Sequence, residues 1–228
     1  MHLIVIKNLL SKRQVQEAMN YKIWDLANSY LYNLCKENFA HDDKSKILAK
    51  TWLIGRSYAV ALERRKNKGD KSNAEFYERD VYELFKQKFL DNGLSKLRDT
   101  VLTEATAFDF VKLHWQLTDK LNNLTKQEKR SFASKYLHFH LCNSFFIYDS
   151  RAQKALGALK IKLTKDEYKQ INGQKVDKIY ANYFLKCLHM QKEIENYYGE
   201  KLTPRQIDNL LLLMEAKVEK KKINTMIK

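Results

Sequence analysis

The chain has 228 residues, enough for one large or two small domains. Hydrophobic residues make up 44% and aromatics 12%, which supplies a core and excludes disorder over most of the length. Forty-two basic residues against 27 acidic ones leave a net charge of +15, a balance that points to a polyanionic partner, nucleic acid first.

One proline and six glycines predict long helices with few tight turns. Cys35, Cys142 and Cys187 are scattered, forming neither a disulfide framework nor a CxxC pair, and fit a reducing, cytoplasmic setting. The opening MHLIVIKNLLSKR has a short apolar run but lacks the basic lead and small-residue cleavage site of a signal peptide. No apolar run approaches a membrane span, so no membrane partner is expected.

Apolar residues at helical spacing from Val15 to Leu34 predict one helix over residues 11–37. Asp42 or Asp43 caps the next, predicted over 44–65, with Gly55 inside it. A glycine there signals close approach by another backbone or a ligand. Arg56 and Glu63 fall two turns apart on one face of that helix, reaching toward a cleft or pairing with neighbours. Residues 64–73 are polar and basic, and read as a loop joining two lobes, 1–65 and 74–228, of a single domain. Helix resumes over 75–92 and ends at Gly93. One or two helices follow over 94–121, carrying Trp115.

Thr125 to Glu128 has the form of a capping box, which starts a helix at Lys126. A second box at Thr164 to Glu167 starts another. Asn172-Gly173 reads as a turn, residues 174–198 as a helix closed by Gly199, and Thr203-Pro204 as the start of the last helix. The basic tail from residue 220 is expected to fray. A strand is suggested only at residues 3–6, and residues 145–148 are too brief to decide.

The segment 130–156 stands apart. Lys135 sits in the apolar run Phe132, Ala133, Tyr136, Leu137, Phe139, where it either snorkels outward or is desolvated. Desolvation lowers an amine's pKa and makes it a nucleophile. Asp149 closes a second apolar run and opens a helix over 150–159, where a carboxylate is an ordinary N-cap. In His138-Phe139-His140, the two imidazoles point about 200° apart on a helix and cannot share an ion, so no metal site is expected. His138 reads as a hydrogen-bonded core or pocket residue, and His140 as exposed or capping.

These residues, with the trailing Ser150-Arg151-Ala152, resemble the core of the helix-hairpin-helix base-excision DNA glycosylases, nearest to the 8-oxoguanine-glycosylase-like branch. The resemblance covers residues 126–156. It implies an all-α, multi-helix fold and a glycosylase/lyase acting on oxidised or abasic nucleotides through a Schiff base. Lys135 would then attack the sugar and Asp149 would assist. No cofactor is implied. The target base would leave the stack and enter a pocket formed by His138, Phe145, Tyr148, Trp115 and Arg56, with Trp52 a further stacking surface. DNA would be held by Lys126, Lys129, Arg130, Ser150 and Arg151. The family's hairpin carries glycines, whereas this chain has Glu128-Lys129-Arg130-Ser131, so phosphate contact would pass to side-chain charge. That departure favours a second expectation: a non-catalytic, basic helical module that binds nucleic acid or a partner protein in a regulatory or defence role.

Overall fold

The computed structural model describes residues 10–66, 69 and 71–226, with 219–226 described as backbone only. The strand suggested at residues 3–6 lies outside them. Helices follow in the order α1 (Lys12–Met19), α2 (Asp25–Glu37), α3 (Lys44–Ser57), α4 (Asn73–Glu75), a π-helical turn (Phe76–Val81), α5 (Tyr82–Phe85), α6 (Lys88–Arg98), α7 (Ala107–Thr125), α8 (Arg130–His140), α9 (Ser150–Ala158), α10 (Lys165–Gly173), α11 (Lys178–Tyr198) and α12 (Pro204–Met226). The described chain is all-helical, without a strand, as its composition requires.

Two compact units form. One comprises Met1–Lys22, Phe146–Gln174 and Lys178–Lys228; the other comprises Ile23–Phe145 with Lys175–Asp177. The basic loop at 64–73 connects α3 to α4 within the second unit.

In the first unit α12 packs on α9 and α1, and α11 packs on α9 and α10. Residues 146–148 enter as buried, non-helical chain, whose carbonyls need partners away from water. Two tyrosines of α11 supply them: Tyr180 donates to the Phe146 carbonyl at 2.9 Å, and Tyr183 donates to that of Ile147 at 2.6 Å.

In the second unit α8 is the centre. It packs against α2, α3 and α7, and every residue from Phe132 to His140 is buried. A helix apolar on one face alone would show solvent on the other. Here the polar members Ser134, Lys135, His138 and His140 are enclosed as well, so each requires an internal partner.

Several boundaries differ from the sequence reading. The helix expected over 11–37 breaks at Asn20–Trp24, because its halves belong to different units. Ile23, Trp24, Leu26 and Tyr30, read as part of a continuous apolar face, are exposed. α3 stops at Ser57, where Ala59 turns to a left-handed φ of 54°. Gly93 lies inside α6 rather than ending a helix: a Cβ there would come within 2.4 Å of Leu113, so its absence admits α7. Thr125 ends α7 instead of capping α8, with Lys126 left-handed (φ 55°) at the cap. Its hydroxyl donates to the Leu121 carbonyl at 2.7 Å, a bond that ties it to the preceding helix. α11 begins at Lys178, not at residue 174, and the backbone of 220–226 stays helical rather than fraying.

Other signals hold. Asp43 caps α3, Asp149 caps α9, and the box at Thr164 and Glu167 is formed in both directions. Gly199 takes a φ of 71° after α11, and Thr203 caps the Pro204 start of α12. Gly55 does mark a close backbone approach, with the Ala61 Cα 3.2 Å from where its Cβ would stand.

Candidate functional site

Lys135 and Asp149 fall in different units and are each accounted for locally. Lys135 is 3% exposed; its amine donates to Ser131 Oγ one turn earlier at 2.8 Å and lies 5.8 Å from the Tyr58 ring centroid. It therefore does not snorkel. Asp149 accepts the Ala152 amide at 2.8 Å as the N-cap of α9. Burial pushes Lys50, which is 0% exposed, down to about 8. Its amine donates to the Asn38 and Ala40 carbonyls at 2.6 and 3.1 Å, satisfying acceptors at and beyond the end of α2.

The residues expected to form the pocket each have a setting of their own. His138 is a core histidine, with Nε2 2.7 Å from the Tyr32 hydroxyl and Nδ1 donating to the Phe145 carbonyl at 2.8 Å. Phe145 is buried edge-on to Phe110. Trp115 is half-buried on α7. Tyr148 lies in the other unit, donating to Gln153 at 2.5 Å. His140, expected at the surface, is buried; its Nδ1 donates to the Tyr136 carbonyl at 2.8 Å. It stacks on His41, whose ring joins Asp91 to Tyr136. This polar cluster spans α3's approach, α6 and α8, and nothing local in the sequence marks it.

Most of the cations expected to hold DNA are engaged within the protein. Lys129 donates to the carbonyls of Ala61 and Arg64, closing the chain after α3. Arg130 pairs with buried Asp177 at 2.5 Å and with Glu128 at 3.0 Å. Arg151 pairs with buried Glu215 at 3.0 Å. Lys126 and Ser150 remain exposed.

Arg56 does line a groove. It opens beside α3 and the π-helical turn, with a volume of about 330 Å³, lined by Leu48, Trp52, Arg56, Asn73, Ala74, Tyr77 and Glu78. Trp52 is 47% exposed, with the Arg56 guanidinium 5.7 Å from its ring centroid. Arg56 forms an ion pair with Glu63, which also accepts the Tyr77 phenol at 2.6 Å. Glu63 lies beyond the end of α3, so the two side chains do not share one helix face as their spacing suggested. Burial first, and donation to Glu63 second, hold the Tyr77 phenol well above its ordinary pKa. Arg65 anchors the rim: its guanidinium lies 4.0 Å from the Phe76 ring centroid and donates to Lys71 and Asn73. Tyr77 and Glu78 read as ordinary helix in sequence. The π turn adds a residue to that stretch of helix and re-aims side chains, a device common at functional sites.

A basic ridge lies in the first unit. Lys160, Lys162, Lys165 and Lys169 are exposed, with Ile161 and Leu163 buried between the first pair and after it. Lys160 sits in the left-handed turn that follows α9 (φ 53°), and Lys162 follows it in the link to α10. Lys165 and Lys169, four apart on α10, share a face. Exposed Tyr168 stands among them. None of these four amines has a hydrogen bond or ion pair among the described residues.

Among the described residues, no three His, Cys, Asp or Glu side chains come together as a metal-binding group, and no helix is long and apolar enough to cross a membrane. Comparison with known families, with characterised proteins and with solved structures gives no match.

Proposed function

We propose that this chain is a non-catalytic, basic helical module that binds nucleic acid through its phosphates. The observation that carries this reading is the ridge Lys160, Lys162, Lys165 and Lys169: exposed, unpaired, and set around an exposed tyrosine. Cations with no internal partner are the ones available to displace counterions from a polyanion. The net charge of +15 acts in the same direction. The test is fluorescence anisotropy against DNA and RNA over a salt series. Replacing the four ridge lysines by alanine is expected to weaken binding and flatten the log K against log salt slope by roughly three to four, near one per lost phosphate contact. An unchanged slope would sink the reading.

A second reading keeps the helix-hairpin-helix glycosylase likeness. It is supported by the helix–turn–helix of α7 and α8 and by the burial of Lys135 beside a hydroxyl. Its test is borohydride trapping on abasic DNA: a covalent adduct lost in Lys135→Gln would favour it over simple binding.

A further inference from the structure

The groove beside the π-helical turn contains polar groups the protein leaves unused. The indole N–H of Trp52 and the carboxylate of Glu78 have no partner among the described residues. Asn73 spends its carbonyl oxygen on Arg65 at 3.3 Å, leaving its NH₂ as donor. Arg56 is paired with Glu63 while its guanidinium lies over the Trp52 ring, 5.7 Å from the centroid, so it leaves Glu78 un-neutralised and the opposite ring face for a ligand. The space, about 330 Å³, sits at the lower end of small-ligand pockets, about 300–1,000 Å³.

Such a site asks for a flat ring to lie against Trp52 and for paired donors to meet a carboxylate. A carboxylate accepts two parallel N–H bonds. Among the nucleobases, guanine alone carries two adjacent donors, N1–H and the exocyclic N2–H, on its Watson–Crick edge. That edge is reachable only when the base is unpaired. We infer that the groove is a binding site for an unpaired guanine of a nucleic-acid strand. The guanine stacks on Trp52, gives both donors to Glu78, and takes the Asn73 amide as donor to O6. This rests on the nucleic-acid reading above and adds base selectivity to it.

The experiment uses the full chain and three labelled thymine twelve-mers: one unsubstituted, one with a single central guanine and one with a central adenine. Expected is binding of the guanine strand about tenfold tighter than either other strand. Trp52→Ala should lose about tenfold on the guanine strand, the size of one base–aromatic stack, while Trp52→Phe retains most of it. Glu78→Gln, which has one acceptor in place of two, should erase the preference of guanine over adenine and leave the thymine strand unaffected. Equal affinity for the three strands, with salt-dependent binding intact, would overturn the guanine site and leave the phosphate-binding module standing. No binding to any strand at low salt would overturn both. Both altered positions are on the surface, and circular dichroism of each variant checks that the fold is kept.

Discussion

The phenol of Tyr136 donates to the imidazole of His41 at 2.6 Å, and both side chains are buried. The other ring nitrogen, Nδ1, donates to Asp91 at 2.6 Å, which fixes the tautomer and leaves Nε2 as the acceptor. Tyr136→Phe removes the donor and strands that nitrogen in the core. The cost expected is about 1–3 kcal/mol of unfolding free energy, read as a lower urea midpoint at unchanged m-value.

Acid should unfold the protein through its enclosed imidazoles. Burial, with Lys50 nearby, pushes His41 down to about 3; burial pushes His114 down to about 4 and holds His140 well below its ordinary value. In the unfolded chain each takes a proton near pH 6.5, whereas the folded chain refuses it. The unfolded state therefore binds more protons as pH falls, and stability is lost below about 6.5 and on toward 4. Three such groups give a slope of about 4 kcal/mol per pH unit in that window. Urea melts at pH 7, 6, 5 and 4.5 measure it. A flat profile to pH 5 would mean that the imidazoles reach solvent.

Two glycines in helices should respond oppositely to alanine. At Gly157 in α9 a Cβ meets nothing within 4 Å, so the substitution should stabilise by about 0.5–1 kcal/mol through helix propensity. At Gly55 in α3 the obstacle is backbone, the Ala61 Cα at 3.2 Å, which cannot swing aside. A loss of about 1–3 kcal/mol is expected there. Thermal melts of the two variants decide it.

Arg130 and Lys129 should prove structural rather than DNA-contacting. Arg130→Ala leaves Asp177 buried without its principal cation, at a cost of about 3–5 kcal/mol. Lys129→Met removes donors to the Ala61 and Arg64 carbonyls, costing about 1–3 kcal/mol. For Lys129→Met, which should stay folded, the salt dependence of nucleic-acid binding is expected to match the parent protein. A flattened slope would return Lys129 to the interface.

The parts of this fold legible in sequence are those written locally. Asp149, Thr164, Gly199 and Thr203-Pro204 act within one turn of the chain, and all four terminate or start helices as their chemistry dictates. The all-helical class follows from the same local pattern. Thr125 misled because one hydroxyl serves either side of a junction, and α7 reached it first. The break at residues 20–24 was invisible because apolar periodicity reports a buried face, not which unit buries it. The site suffered similarly. Arg56 and Trp52 stand one turn apart in the sequence, but Asn73 and Glu78 join them from α4 and the π turn, some twenty positions on. Lys50, His41 and Asp91 were missed because their partnerships span up to 95 positions.

The enclosure of α8 on every side has a bearing on how the molecule opens. Amide hydrogens of 132–139 have no route to solvent through local fraying, since freeing one turn unpacks α8 from α2, α3 and α7 together. Their exchange with deuterium should therefore report the complete cooperative unfolding of that unit, and the slowest amides in the chain should map to this one helix.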